Sequence, residues 1–275
     1  MAAALSTPAL GDDLTSLSTD FDSADALKSW SEHLPEGFTR KWQEPKIEDG
    51  QLVLEPISGG WFEDLHGGHL YKRVDGDFIV TTRINVSGTE ADLPQTLFSL
   101  AGLFVRAPRN VSAASWAPGR ENWLFFSIGT SAPAGDPQFE IKTTTNSLST
   151  LKIFPSPTGW IELRIARHGE LFTLLHKAEG AEEWTIIDQM IRPDLPQVLN
   201  VGLTAYADWG SVADVYPDMM RVNKEGAPTN NADLIARIDR ITFRRPAVGR
   251  IPVANMDAPA FIEAIAERRV DVLAD

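Results

Sequence analysis

Two histidines and two carboxylates lie close together in the segment Trp61–His69, whose sequence is WFEDLHGGH. The side chains concerned are Glu63, Asp64, His66 and His69. Imidazoles three residues apart beside carboxylates fit the binding of a divalent metal, or an acid–base pair in which one group orients the other. The Gly-Gly pair between the histidines would let both rings turn toward one point. The alternative is a solvated polar loop without a ligand.

An enzyme acting on glycans, either a glycoside hydrolase or a polysaccharide lyase, is one function that this chemistry could serve. The candidate catalytic residues are His66, His69, Glu63 and Glu140. Inverting hydrolases hold two carboxyl groups roughly 6.5–9.5 Å apart, and retaining ones about 5–5.5 Å. The sequence places no second acid to partner Glu63 or Asp64. A lyase would instead use a histidine or tyrosine as the base and a basic side chain to neutralise a uronate.

Aromatic and basic side chains supply the candidates for binding a sugar. The chain has eight tryptophans and three tyrosines, and an indole face packs well against the apolar face of a sugar ring. Arginine and lysine bind hydroxyl or carboxylate groups. The candidate ligand-binding residues are Trp61, Asp64, Tyr71, Arg106, Trp123, Lys142, Tyr206 and Trp209. The alternatives are core packing for the aromatic residues and cross-strand ion pairing for the basic ones.

Composition argues against several classes of function. The formal net charge of −13 repels phosphate backbones and anionic lipids, so we expect neither nucleic acid nor membrane as a partner. The absence of cysteine excludes disulfides, thiolate zinc sites and cysteine catalysis. The sequence also lacks a serine-hydrolase elbow, a phosphate loop, a dinucleotide fingerprint and a zinc-protease motif.

The first residues, MAAALSTPALGDDL, lack the basic region and apolar run of a signal peptide. No segment approaches the ~20 apolar residues that a membrane helix requires. We therefore expect a soluble protein, cytoplasmic as the sequence is written, or exported if a signal peptide has been removed.

Short alternating segments separated by turn signals dominate the chain, with helix only at the ends. We predict about twelve strands, including Gly37–Trp42 and an opening hairpin of Leu70–Arg73 with Phe78–Val86 around an Asp-Gly turn. The predicted fold class is all-β, a two-sheet antiparallel sandwich with a short C-terminal helix.

The predicted organisation has three parts: a flexible arm over 1–17, the sandwich over 18–246, and a linker with an amphipathic helix over 247–275. Inside the sandwich, Asp208–Asn231 is predicted to be a long loop, which in a compact domain is usually functional or disordered. The helix is predicted to start at Asp257 and Pro259. Its apolar stripe is formed by Phe261, Ile262, Ile265 and Ala266. We expect the helix to cover the sandwich or an edge strand.

Five segments carry a resemblance to a known family. In chain order they read GHLYKRVDGDFIVTTRI, AGLFVR, GWIELRIARHGELFTLLHKAEGAEEWTII, VLNVGLTAYA and IARIDRITF. This order resembles the concanavalin A-like lectin/glucanase jelly rolls. The nearest group is DUF1349, a family of unknown function related to the sandwich domain appended to β-xylosidases. The resemblance covers about Phe21–Arg244, and its motifs mostly reflect strand alternation.

The resemblance implies a jelly roll whose concave face binds an oligo- or polysaccharide. Such binding requires no cofactor. The resemblance also implies a structural calcium near the chain ends, held by Asp20, Asp22 and Asp239. The alternative is that these three residues are ordinary carboxylates of turns and sheet edges. The chain departs from the family in its long Asp208–Asn231 insertion and its added helix. It also lacks the acid-rich EIDIE-like strand of laminarinase-type glucanases, since the matching segment QFEIK offers only Glu140.

Three functions remain open at this point. The first is a carbohydrate-binding, lectin-like sandwich without catalysis. The second is the glycan-active enzyme using the Trp61–His69 segment. The third is a protein-interaction module, for example a homodimer, that assembles through the insertion and the C-terminal helix.

Overall fold

The computed structural model describes residues 13–249 and 258–274. Its strands, in chain order, are β1 (Ser31–Glu32), β2 (Lys46–Glu48), β3 (Gln51–Leu54), β4 (Leu70–Asp75), β5 (Phe78–Ser87), β6 (Ser99–Arg106), β7 (Trp123–Thr130), β8 (Gln138–Thr145), β9 (Leu148–Pro155), β10 (Ile161–His168), β11 (Leu171–Ala178), β12 (Thr185–Ile191), β13 (Val198–Tyr206) and β14 (Ile235–Arg244). The helices are α1 (Gly210–Ala213), α2 (Met219–Glu225) and α3 (Ala258–Leu273), with short 3-10 helices at Thr15–Leu17 and Ala24–Ser29.

The strands form two seven-stranded antiparallel sheets that pack face to face. The first sheet has the order β1-β4-β13-β6-β7-β8-β9, and the second has the order β12-β11-β10-β5-β14-β3-β2. The predicted fold class, an all-β two-sheet sandwich with a short C-terminal helix, is confirmed.

The main core lies between the sheets and is formed by alternate residues of their inner faces, such as Val80 on β5, Leu103 on β6 and Phe126 on β7. Every residue of β6 and β7 is buried, so these strands are covered on their outer face as well. A second apolar cluster occupies that outer face, and its members are Trp61, Leu100, Phe104, Trp123, Phe125 and Tyr206. The first sheet therefore carries a buried layer beyond the sandwich core.

The predicted opening hairpin is wrong. β4 pairs with β13 and β1 in the first sheet, whereas β5 pairs with β10 and β14 in the second. The turn at Gly76, whose φ is +75°, thus crosses from one sheet to the other. Alternation tells which side of a strand is apolar but not which neighbour it pairs with, and both strands turn their apolar side toward the shared core.

The predicted strand Gly37–Trp42 is also wrong. Only Trp42 pairs in a β-bridge, with Pro56, and Gly37 has a φ of +78°. The segment instead bonds to the insertion, since Thr39 N donates to the carbonyl of Asn223. Long-range contacts replace the sheet partner that alternation suggested.

The predicted long loop Asp208–Asn231 contains α1 and α2. Asp208 ties its two ends together, because its carboxylate accepts hydrogen bonds from Ser58 Oγ and from the backbone N of Asn231. Asp218 caps α2 by accepting from the backbone N of Arg221. The insertion is therefore a packed element that the sandwich holds at its base.

Helix α3 contacts the sandwich as predicted, but not through the predicted apolar stripe. Phe261, Ile262 and Ile265 are 36%, 67% and 45% exposed. The helix docks by its last turn, where Val272 packs with Trp184 and its neighbours on the outer face of the second sheet. No helix among the described residues is long and apolar enough to cross a membrane.

Parts of the predicted organisation lie outside the described residues. These are the first twelve residues of the arm, most of the linker and the Asp257 cap. The described end of the arm is anchored: Leu14 is buried in the core, and Thr19 pairs with Ile241 of β14. The homodimer stays a prediction.

Candidate functional site

Trp61 packs on the outer face of the first sheet, in a cluster with Phe104 and Trp123. Its ring centroid is 4.7 Å from that of Phe104. Its Nε1 donates to the carbonyl of Gly68 and to Thr204 Oγ1, at 3.1 Å each. The indole is fully buried, so it serves as a packing centre and offers only part of its surface to a ligand.

The Gly-Gly pair at Gly67 and Gly68 makes room for two indoles rather than turning the histidines outward. A Cβ at Gly67 would lie 2.6 Å from the ring of Trp61, and one at Gly68 would lie 2.4 Å from the ring of Trp42. Both distances are shorter than real Cβ contacts, so only glycine lets the backbone pass between the rings.

Gly68→Ala is therefore expected to lower the free energy of unfolding by about 1–3 kcal/mol, because the new methyl group overpacks a closed aromatic layer. Gly59→Ala is the matched control. Its Cβ would meet only ordinary contacts at 3.6 Å and beyond, and we expect a change within about 0.5 kcal/mol. Urea denaturation of both variants measures the difference, and equal stabilities would contradict the packing role.

His66 and His69 lie behind Trp61, away from solvent. His66 Nδ1 shares a hydrogen bond of 2.9 Å with Nε2 of His33, a residue that sequence reasoning missed. Burial, then Arg106, lowers the pKa of His69 well below its ordinary value, and burial also lowers the pKa of His66. Both rings are therefore neutral near pH 7 and closed off. Their catalytic role stays a prediction, and it would require the covering segment to open.

Glu121 is the centre of this buried polar layer and was missed from the sequence. Its carboxylate accepts from Arg106 Nε and Nη2 at 2.8 and 2.9 Å and from Arg109 Nη1 at 2.9 Å. Nε2 of His66 lies 3.4 Å away. Burial alone would raise the pKa of Glu121, but Arg106 and His66 outweigh it and hold the pKa well below its ordinary value. Glu121 follows a polar loop in the chain, and no local pattern marks it.

On the other side of Trp61 a pocket of about 140 Å³ opens to solvent. Strands of the first sheet, the Trp61 segment and the insertion all contribute to it. Its lining residues are Gly60, Trp61, Phe62, Phe98, Lys142, Leu151, Tyr206 and Trp209. Seven of these eight are apolar, aromatic or glycine, and Lys142 is the one charged side chain among the lining residues.

Lys142 and Tyr206 line this pocket and form a polar trio with Glu140 beside it, and all three residues are buried. Glu140 Oε1 accepts from Tyr206 Oη at 2.8 Å and lies 2.9 Å from Lys142 Nζ. Lys142 Nζ also donates to Tyr206 Oη. Burial, then the Glu140 carboxylate, raises the pKa of Tyr206 well above its ordinary value, so the phenol keeps its proton at neutral pH.

Phe62 and Trp209 line the rim of the pocket, and both rings contact Tyr216 of the insertion. The three ring centroids lie 5.3–5.5 Å apart in tilted and edge-on arrangements. Trp209 is fixed by its backbone N, which donates to the carbonyl of Leu97 at 2.9 Å. Tyr216 donates its hydroxyl to the carboxylate of Glu63, which ties the insertion to the Trp61 segment.

Other predicted ligand-binding residues lie outside this pocket. Trp123 is buried beside Trp61, edge-on at 6.1 Å, and Arg106 pairs with Glu121. Asp64 is buried and accepts from Gly119 N at 2.9 Å and from Ser147 Oγ at 2.7 Å. Tyr71 is half-buried, with its ring centroid 5.1 Å from that of His69.

The proposed calcium ligands do not form a shared cluster. Among residues 13–249 and 258–274, no three histidine, aspartate or glutamate side chains are grouped so that they could hold a metal ion. Asp239 accepts from Arg240 Nη1 at 2.9 Å and lies 3.5 Å from Arg83 Nη1. Its carboxylate is thus engaged in ion pairs, and the structural calcium stays a prediction.

Four of the predicted ligand-binding residues therefore come together, namely Trp61, Lys142, Tyr206 and Trp209, with the predicted catalytic Glu140 directly beside Lys142 and Tyr206. The two histidines lie behind Trp61. The missed residues Phe62 and Phe98 could have been suspected only as aromatic neighbours of Trp61 and of strand β6.

Comparison with protein-family models finds no model that matches this sequence, and comparison with curated proteins finds no match either. Solved structures do match. A functionally unknown protein from Saccharomyces cerevisiae shares 16% identity with a TM-score of 0.54, over 80% of this chain and 98% of that one. A xylan β-1,4-xylosidase from Bacillus halodurans shares 15% identity with a TM-score of 0.53 over 83% of this chain.

This chain spans only 39% of that xylosidase. A basic winged bean lectin, solved with Tn-antigen, shares 14% identity with a TM-score of 0.50, over 78% of this chain and 92% of the lectin. Identities this low bear on the fold alone, so membership of DUF1349 stays a prediction. The structural neighbours have concanavalin A-like sandwich folds, and the two seven-stranded sheets of this chain are consistent with that jelly-roll architecture.

Proposed function

We propose that this protein binds carbohydrate in the pocket between the outer face of the first sheet and the insertion. The observation that carries the proposal is the composition of the pocket: aromatic walls beside one polar trio. Ligand pockets combine an apolar lining with a few well-placed polar groups in this way. A sugar ring matches both parts, because it has apolar C–H faces and hydroxyl edges.

Binding without catalysis fits the chemistry of the pocket better than hydrolysis does. A glycoside hydrolase needs two carboxyl groups flanking the scissile bond. Among the described residues no carboxylate lines the pocket, and the one beside it, Glu140, is held by Lys142 and Tyr206. His66 and His69 are buried and do not line the pocket. Two structural neighbours are named for carbohydrate, a xylosidase and a lectin, which is consistent with the proposal without carrying it.

Trp209→Ala is expected to weaken glycan binding at least tenfold, because truncating a tryptophan that a ligand covers commonly costs about 2 kcal/mol or more. A glycan array with the intact chain identifies the ligand, and isothermal titration calorimetry then gives Kd for the variant. Trp160→Ala is the matched control, since Trp160 is a half-buried indole that stacks with Arg83 on the second sheet.

Two results would count against the proposal. One is an intact chain that binds no glycan on the array or in affinity electrophoresis. The other is a Trp160→Ala variant that loses as much affinity as Trp209→Ala, which would place the ligand elsewhere. Thermal unfolding of both variants checks that a loss of binding is not a loss of fold.

A further inference from the structure

We infer that the pocket takes one neutral sugar residue at the end of a glycan, rather than an acidic sugar or an internal stretch of a polysaccharide. The inference rests on the proposed carbohydrate binding and adds the class of sugar and the way in which it is presented. Three features of the pocket carry it: its size, its charge balance and the hydrogen-bonding capacity that Lys142 retains.

The size of the pocket limits the ligand to about one ring. Its volume of about 140 Å³ is below the roughly 300–1,000 Å³ of pockets that hold drug-sized ligands. Side chains from several elements enclose the pocket. Leu151 comes from the edge strand β9, Phe98 lies beside β6, and Phe62 and Trp209 lie at the rim. An internal residue of a chain would need a groove open at two ends, whereas this enclosure suits a terminal residue.

The charge balance of the pocket disfavours an acidic sugar. Lys142 is the only basic side chain in the lining, and the Glu140 carboxylate lies 2.9 Å from its ammonium group. A uronate would place a second buried carboxylate beside this neutral pair, at a large cost in desolvation and repulsion.

The trio also keeps groups that suit a hydroxyl. Glu140 Oε1 is used by Tyr206 and Lys142, but Oε2 is buried without a hydrogen-bond partner among the described residues. A lysine ammonium has three donors, of which two are directed to Tyr206 and Glu140. Lys142, which lines the pocket, therefore retains one donor. A hydroxyl oxygen can accept from it, so a neutral sugar can satisfy a group that would otherwise remain unpaired.

The test titrates the intact chain with methyl glycosides of glucose, galactose, mannose and xylose, and with the methyl glycosides of glucuronic and galacturonic acid. Calorimetry or saturation-transfer NMR gives each Kd. We expect at least one neutral glycoside to bind at least tenfold more tightly than the uronate of the same configuration. We also expect the matching trisaccharide to bind within about threefold of the monosaccharide, since only its end residue would enter the pocket.

Two variants locate the binding. Gly60→Ala places a Cβ inside the pocket wall, 3.7 Å from the ring of Tyr206, which is an ordinary contact that the fold tolerates. We expect it to weaken binding of the neutral glycoside at least fivefold. Gly59→Ala is the neighbouring control and should bind as the wild type does, because its Cβ faces the backbone of Ile57 and the side chain of Lys41.

The outcomes separate the inference from the proposed function. Preferred binding of a uronate, or affinity that rises tenfold with each added residue, would overturn the inference and leave carbohydrate binding standing. Polysaccharide binding that Gly60→Ala leaves unchanged would place the ligand outside this pocket, and would overturn both the inference and the proposed site. Absence of binding to every glycoside and polysaccharide would defeat the proposed function itself.

Discussion

Glu121→Gln is expected to lower the free energy of unfolding by about 3–5 kcal/mol, the usual cost of removing one partner of a buried ion pair. Glu121 and Arg106 are each 1% exposed and joined by two hydrogen bonds. Glutamine keeps the shape of the side chain but leaves the buried Arg106 guanidinium without the carboxylate that compensates its charge. For a chain of this size the loss corresponds to a decrease in Tm of roughly 10 °C.

Glu179→Gln is the control for this experiment. Glu179 pairs with Arg83 at 2.7 Å, a distance equal within 0.1 Å to that of the buried pair, but its side chain is 61% exposed. Exposed ion pairs contribute about 0–1 kcal/mol, so this variant should unfold almost as the wild type does. Equal and small decreases in the free energy of unfolding of the two variants would show that burial does not determine how much the Glu121–Arg106 pair stabilises the fold.

Lowering the pH from 7 to 5 is expected to destabilise the fold by several kcal/mol. The chain has five histidines, and burial lowers the pKa of all five: His33, His66, His69, His168 and His176. An exposed histidine in the unfolded chain has a pKa of about 6.5. Below that pH the unfolded chain binds protons that the folded chain excludes, so stability is full above about pH 6.5 and falls as the pH decreases.

Each fully buried histidine removes roughly 1 kcal/mol for every pH unit within this window. The summed loss of stability from the buried histidines is a large part of the 5–15 kcal/mol that ordinarily separates folded from unfolded states. Glu121 acts at lower pH, because its depressed pKa adds stability that is lost only as the pH falls below about 4.3. Urea denaturation at a series of pH values measures the effect.

His69→Leu supplies the matched variant for the pH series. Both nitrogens of His69 are buried without a hydrogen-bond partner among the described residues, so leucine removes a titrating group without breaking a side-chain network. Between pH 7 and 5 we expect the free energy of unfolding of this variant to fall less steeply than that of the wild type, by a slope that corresponds to about one proton. Equal stability of the wild type at pH 7.5 and pH 5.5 would contradict the role of the buried histidines.

Much of the fold could be predicted because strand alternation and turn residues are local signals. The strands β6, β7, β10 and β13 lie where their apolar patterns indicate. Pairing could not be predicted in the same way. The segments on either side of the Asp-Gly turn look like a hairpin, yet they join different sheets, because a local pattern fixes the buried side of a strand and not its partner.

The candidate site shows the same division. The residue types of Trp61, Lys142, Tyr206 and Trp209 marked them as candidates from the sequence. The contact between Glu140 and Tyr206 joins residues 66 positions apart, and the insertion that brings Trp209 to the pocket is closed by a contact between Ser58 and Asp208, 150 positions apart. The spacing of residues within one segment cannot predict contacts between residues so far apart in the sequence.

Taken alone, the sequence determined the all-β class, the richness of aromatic residues and the absence of a paired-acid motif, since each follows from composition or from a repeat of two residues. Only the tertiary structure decided that His66 and His69 are enclosed, that Glu121 is their charged centre, and that the open pocket lies on the other side of Trp61. The physical reason is that the burial of a residue depends on which distant segment covers it. Burial in turn decides whether a polar side chain can reach a ligand or only forms hydrogen bonds within the fold.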